Sequence, residues 1–179
     1  MSELSDEILM KRVKDGDLAD LAVLFERYHV KMFNFLLKVT FDRTVSQDLT
    51  QNIFYRIIKY RHTYSEGRSF KSWIYQLARN VHVDYCSQKK KISDRYARVE
   101  EYNENIAEEK GPYGEEEYEQ LDKALSKLNP DQKEIIILSR YQGLKYEEIS
   151  SIRNQSVPAI KVQMFRAIKQ LRQFYLKQT

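Results

Sequence analysis

Apolar residues in this chain recur at intervals of three and four, the spacing that lines one face of an α-helix. Leu21, Leu24, Phe25, Tyr28, Met32, Phe35, Leu36 and Val39 mark one such stripe. Leu49, Ile53, Ile57 and Tyr60 mark a second, and Phe70, Trp73, Ile74, Leu77, Val81 and Tyr85 a third. Polar residues with short side chains stand where helices should begin, because such a side chain can accept from the unpaired amides of a first turn. Ser5 is expected to cap a short helix through Lys14 that Gly16 closes; Asp17 precedes the first stripe, Ser46 the second and Ser69 the third. The polar stretch from His62 to Arg68 separates the last two. Four helices of this length bury a common core, so residues 1–91 are expected to form one domain.

From Ile92 the periodicity weakens, and Gly111-Pro112-Tyr113-Gly114 is a breaker cluster, so residues 92–114 read as a linker. Helical spacing returns over residues 115–179. Tyr118, Leu121, Leu125 and Leu128 share a face; Asn129-Pro130 supplies a cap and first turn for a helix through Ile135, Ile136, Ile137 and Leu138 that Gly143 stops. A short helix from Lys145 to Ser151, a polar turn Ile152-Arg153-Asn154-Gln155, and a long helix from Ser156 to about Lys177 then follow. Val157, Ile160, Met164, Ile168 and Leu171 mark the inward face of that last helix. Short helix, tight turn and long helix have helix-turn-helix arithmetic. The expected fold class is all-α, with a four-helix N-terminal domain and a C-terminal helix-turn-helix domain joined by a linker.

Charge sharpens the division. Residues 1–91 carry 16 Lys/Arg and 11 Asp/Glu, residues 92–120 carry 3 and 10, and residues 121–179 carry 11 and 5. Two basic blocks flanking an acidic one suggest a polyanionic partner. The acidic stretch suits a tether that lies against the basic surfaces, and equally a solvated linker. The single Cys86 excludes an internal disulfide, His29, His62 and His82 are scattered, and neither a metal-spaced Cys/His cluster nor a Gly-rich phosphate loop is present. No catalytic residue, metal or cofactor is expected. The acidic N-terminus and the lack of any long apolar run lead us to expect a cytoplasmic chain.

The outward faces of the last helix carry Lys161, Gln163, Arg166, Lys169 and Arg172, side chains that reach phosphates and base edges when a helix enters the major groove, and Ser156 opens its first turn. The N-terminal block sets His62, Tyr64 and Arg68 close to Phe70, Trp73 and Tyr75, with Lys89, Lys90 and Lys91 at the far end of the same helix. Aromatics interleaved with cations suit unstacked single-stranded bases. Phe70 and Trp73 at helical spacing read better as core, which leaves Tyr64 and its loop as the better candidates for base contact.

The stretch Asp48-Leu49-Thr50-Gln51-Asn52-Ile53-Phe54, followed by Phe70-Lys71-Ser72-Trp73-Ile74, Ala78-Arg79-Asn80 and Asp84, resembles the second conserved region of extracytoplasmic-function sigma factors of bacterial RNA polymerase. Leu128-Asn129-Pro130, Gly143-Leu144-Lys145-Tyr146-Glu147-Glu148-Ile149 and Ser156 through Ala167 resemble the fourth. The resemblance implies a subunit that brings core polymerase to promoters, with no catalysis of its own. It implies that Asp48, Gln51 and Phe54 dock on the clamp helices of the largest polymerase subunit, and that the C-terminal domain meets the flap region. His62, Tyr64, Arg68, Asn80, Asp84, Lys89 and Lys90 would meet the minus-ten element, where a base is flipped out of the stack. Ser156, Ala159, Lys161, Val162, Gln163 and Arg166 would read the minus-thirty-five element as duplex. A membrane-linked anti-sigma protein is the implied regulator, and the free chain is expected to be a monomer.

The chain departs from the family pattern at Ser87 and Gln163, where arginine is usual or frequent, and at Ile168, which puts the promoter sequence beyond reach. A stand-alone helix-turn-helix regulator and a helical adaptor that binds no DNA remain as alternatives. They differ in partner: a stand-alone regulator binds duplex operator unaided, commonly as a two-fold dimer.

Overall fold

The computed structural model describes residues 4–96 and 116–177, and the expected acidic linker lies almost wholly outside them. The chain divides into two compact units, residues 1–109 and 110–179. Every regular element among the described residues is helical.

The first unit holds α1 (Asp6–Asp15), α2 (Ala19–Thr40), α3 (Arg43–Tyr60) and α4 (Phe70–Tyr96). Ser5 accepts from the Ile8 amide at 3.4 Å, and Gly16 closes α1 at φ +110, a conformation that a side chain would strain. Asp17 accepts from the Ala19 amide at 3.1 Å, just ahead of α2. The third helix begins earlier than its sequence suggests. Asp42, in extended conformation, takes the Val45 amide at 2.9 Å, while Ser46 is buried inside the helix and turns its hydroxyl back to the Asp42 carbonyl. A carboxylate at that position outcompetes a hydroxyl four residues later for the first free amide. Ser69 accepts from the Ser72 amide at 3.3 Å, as expected for the start of α4.

Leu9, Met10, Val13, Leu24, Met32, Phe35, Leu36, Ile53, Ile57, Phe70, Ile74 and Val81 fill the core of this unit. Phe25 and Tyr60, placed inward by their spacing, are instead 40% and 38% exposed. Helix α4 runs to Tyr96, past the expected boundary at 91, because Lys89 to Lys91 favour helix and no Gly or Pro interrupts them.

The second unit holds α5 (Glu116–Ser126), α6 (Pro130–Ile136), α7 (Tyr146–Arg153) and α8 (Val157–Leu176). Asn129 caps α6 through the Gln132 amide at 2.8 Å with Pro130 in the first turn. A wider, π-type turn over Ile137–Tyr141 continues it, and Gly143 follows at φ +63. Ile135, Ile136, Ile137 and Leu138 are all buried. That run packs α6 against α8, which also meets α5 and α7.

Candidate nucleic-acid interface

Helix α7 runs two residues further than its sequence pattern indicates, to Arg153. Ile152 is buried, and Arg153, expected in a polar turn, is the last helical residue, with 3% of its side chain exposed. Its guanidinium lies 2.6 Å from Glu134 and 2.7 Å from Asp131, both on α6. The turn is therefore only Asn154, at φ +52, and Gln155, whose amide donates to the Ser150 carbonyl at 3.1 Å. Ser156 then caps α8 by accepting from the Ala159 amide at 3.4 Å. The ion pairs fix the end of α7 on α6, and the two-residue turn fixes where α8 starts.

Ile160, Met164 and Ala167 turn α8 inward. The opposite face exposes Lys161, Val162, Phe165, Arg166, Lys169 and Arg172. None of the four cations has a carboxylate within ion-pair distance among the described residues, so the face is an uncompensated positive strip. Such a strip attracts a polyanion at the range set by the Debye length, about 8 Å in physiological salt. Of the residues assigned to duplex reading, Ser156, Lys161, Val162 and Arg166 are exposed here. Ala159 is half-buried, and Gln163 is half-buried with its amide donating to Gln155 at 3.0 Å. Sequence reasoning passed over Phe165, which is 72% exposed amid these cations. Its signal was available: 165 lies four after Lys161 and off the inward stripe, and an aromatic there can meet a thymine methyl.

In the first unit, Asp48 and Gln51 are exposed on α3. Phe54 is 7% exposed and sets its ring against Phe25, centroids 4.7 Å apart in edge contact. Phe54 therefore forms the floor of a shallow apolar groove shared with Leu18, Leu21, Phe25 and Ile58. Any partner on this surface would touch the rim before it touched Phe54.

The loop between α3 and α4 corrects one assignment. Tyr64, the favoured base contact, is 2% exposed. Its ring meets Trp73 and Phe70 in edge contact at 5.2 and 6.4 Å, and its hydroxyl donates to the Arg68 carbonyl. Burial, with Glu7 nearby, pushes the phenol up to about 12. No base can stack on that ring; Tyr64 shapes the loop from below. Trp73 and Phe70 are core as well. Aromatics three residues apart on a helix share its buried face, and Tyr64 completes their cluster.

His62 is exposed in the loop, whereas Arg68 is half-buried and bonds Gln76 of α4. Along α4, Asn80, Asp84, Lys89 and Lys90 are exposed. Asp84 lies 2.7 Å from Arg56 of α3, a guanidinium that sequence reasoning had not singled out. Arg56 also donates to Asn52 at 2.9 Å.

Comparison with known proteins accounts for both halves. Residues 24–92 match the model of Sigma-70 region 2, and residues 118–171 match that of Sigma-70, region 4. Relatives include the ECF RNA polymerase sigma factor SigM of Bacillus subtilis (strain 168), 31% identical over 155 residues, covering 85% of this chain and 93% of that one. The RNA polymerase sigma factor CarQ of Myxococcus xanthus is 27% identical over 164 residues, 92% and 94% of the two chains. Among solved structures, CnrH in complex with the cytosolic domain of CnrY matches with a TM-score of 0.74 at 19% identity, over 97% of this chain and 99% of that one. The sigma factor RpoE in complex with the anti-sigma factor NepR from Bartonella quintana matches with a TM-score of 0.70 at 23% identity, over 87% and 96%. Those two likenesses speak for the fold, while the identity to SigM, sustained across both matched regions, speaks for kinship: the chain belongs to the ECF RNA polymerase sigma factor family.

Proposed function

We propose that this chain is an alternative sigma factor that binds core RNA polymerase, carries it to promoters through a minus-ten and a minus-thirty-five element, and has no catalysis of its own. The observation that carries this reading is the uncompensated strip Lys161, Arg166, Lys169 and Arg172 on α8 of the region 4 match. In this reading the strip enters the major groove at the upstream element, with Ser156, Val162 and Phe165 beside it. The exposed part of the loop around His62, with Asn80, Lys89, Lys90 and the Asp84–Arg56 pair, meets the downstream element. Asp48 and Gln51 form the docking edge for the clamp helices. Two weak DNA sites on one polymerase raise each other's effective concentration, so neither has to bind tightly alone.

Matches to two separate sigma regions in one chain speak against a stand-alone regulator, which needs only its helix-turn-helix. Fluorescence anisotropy separates the two directly. The full chain should bind promoter duplex weakly by itself and tightly once core polymerase is added; tight binding unaided would refute the sigma reading. We further infer that the chain works in the cytoplasm and is held inactive by a membrane-linked anti-sigma protein. Among the described residues no helix is long and apolar enough to cross a membrane; in this reading the partner carries the anchor. An inner-membrane protein should co-purify with the chain before induction, and its absence there would refute the inference.

A further inference from the structure

We propose that α1 is a clasp that holds open the loop 61–69 for an unstacked promoter base, with Lys14 as its principal positioning residue; the idea rests on the sigma reading above. Glu7, Lys11 and Lys14 stand at intervals of four and three, hence on one face of α1. Each ends on a different point of the stretch from Tyr64 to Phe70. Lys14 donates from its ammonium to the Tyr64 carbonyl at 2.8 Å, Lys11 lies 3.2 Å from the Glu66 carboxylate, and Glu7 accepts from the Phe70 amide at 3.2 Å. As α1 is followed backward the chain from Tyr64 to Phe70 is followed forward, so the helix lies antiparallel to that stretch and bonds it at Tyr64 and Glu66 within the loop and at Phe70 where α4 begins. The adjacent face of α1 carries Leu9, Met10 and Val13, each no more than 2% exposed, which anchors the clasp in the core.

The three bonds differ in weight. Lys11 and Glu66 are both more than half exposed, and a pair like that adds little. Lys14 makes a charge-assisted bond in a partly buried setting. Glu7 satisfies an amide of the first turn of α4, which has no partner within the helix. Inside the loop, the Arg68 amide closes a turn onto the Ser65 carbonyl at 3.3 Å with Gly67 at φ +81, Tyr64 is tied to Arg68, and Arg68 to Gln76. Between the buried Tyr64 and the half-buried Arg68, Ser65, Glu66 and Gly67 form a short exposed arch, with His62, Thr63 and Ser69 exposed on either side of it. A pre-formed arch accepts an extruded base without the ordering cost that a floppy loop would incur.

The test uses the full-length chain with core polymerase on a promoter that the unaltered holoenzyme opens, with strand opening read by permanganate reactivity of unpaired thymines. Templates carrying a single abasic nucleotide at each position of the minus-ten element identify the base that the loop holds. Lys14→Met keeps the aliphatic stem and removes the donor; it should slow opening about tenfold, the loss expected for one charge-assisted bond. It should also erase the abasic penalty at that one base, while affinity for core and for the upstream duplex stays unchanged. Lys14→Arg should restore both opening and penalty. Glu7→Ala, at an exposed position that leaves the core intact, should show the same pattern more weakly. A Lys14→Met holoenzyme that slows on every template alike, with the abasic penalty intact, overturns the clasp and leaves the sigma reading standing. Failure to find any promoter that core polymerase opens with the unaltered chain overturns both.

Discussion

Replacing Arg153 by methionine removes a guanidinium but keeps a stem of similar reach, and the structure indicates what that should cost. The side chain is 3% exposed and bonds two carboxylates that differ in setting: Glu134 is 13% exposed and Asp131 is 74% exposed. The Asp131 bond is solvated on one side and adds less than about 1 kcal/mol. Loss of the Glu134 bond strips a nearly buried carboxylate of its guanidinium, the situation in which removing one partner costs about 3 to 5 kcal/mol. Arg153→Met should therefore destabilise the second unit by about 3 kcal/mol. Glu134→Leu combined with Arg153→Met should recover most of it, because the nearly buried carboxylate that Arg153 had faced is then removed as well. Urea unfolding of the full chain can localise the effect, since the single tryptophan, Trp73, lies in the first unit. The fluorescence transition should stay in place while part of the far-ultraviolet circular dichroism transition moves to lower urea. A loss under about 1 kcal/mol, or a double variant no more stable than the single one, would refute this account of how α7 is held beneath α8.

Other consequences follow from the same surfaces. Tyr64 has its phenol raised from 10 to about 12, so its folded state holds a proton that the unfolded chain has released. Its contribution is complete below pH 10 and is lost between pH 10 and 12, at up to about 1.4 kcal/mol per pH unit; alkaline unfolding should be shallower for Tyr64→Phe, and equal slopes would contradict the assignment. Phe165→Ala should leave the thermal midpoint nearly unchanged, since the ring is exposed, and weaken upstream-duplex binding by about 1 to 2 kcal/mol. Lys161→Ala with Arg166→Ala should flatten the salt dependence of that binding by about two units of log–log slope if both neutralise phosphates. Asp48→Ala with Gln51→Ala should lower affinity for core polymerase without changing stability, whereas Phe54→Ala, which empties the floor of the groove, should cost about 3 kcal/mol of folding stability as well.

Much of this architecture is written in spacing. The second unit follows from the stripe at Ile160 and Met164, from Pro130 after Asn129, and from Ser156 before a proline-bearing first turn, because each is a local rule with a local cause. What spacing cannot convey is where charge is neutralised. Arg153 looked like a solvated turn residue because its partners lie 19 and 22 residues earlier in the chain, on another helix. Tyr64 looked like a base-stacking aromatic because loop position suggests exposure; only packing against Trp73 and Phe70 shows that the loop folds over its own ring. Phe25 erred in the opposite direction. It lies on the apolar stripe of α2, yet the stripe is wider than the surface that α3 covers, so its edge remains as the wall of the groove. Gln163 and Asp84 were legible as polar and outward, but their partners Gln155 and Arg56 were not.

The central claim is tested most directly by transcription from fragmented genomic DNA of the source organism with purified core RNA polymerase, with and without the full chain, mapping transcript starts. The account predicts new starts that share two upstream motifs at a fixed separation, lost when Lys161 and Arg166 are both changed to glutamate. An unchanged set of starts, with the chain bound to DNA in the absence of polymerase, would contradict it.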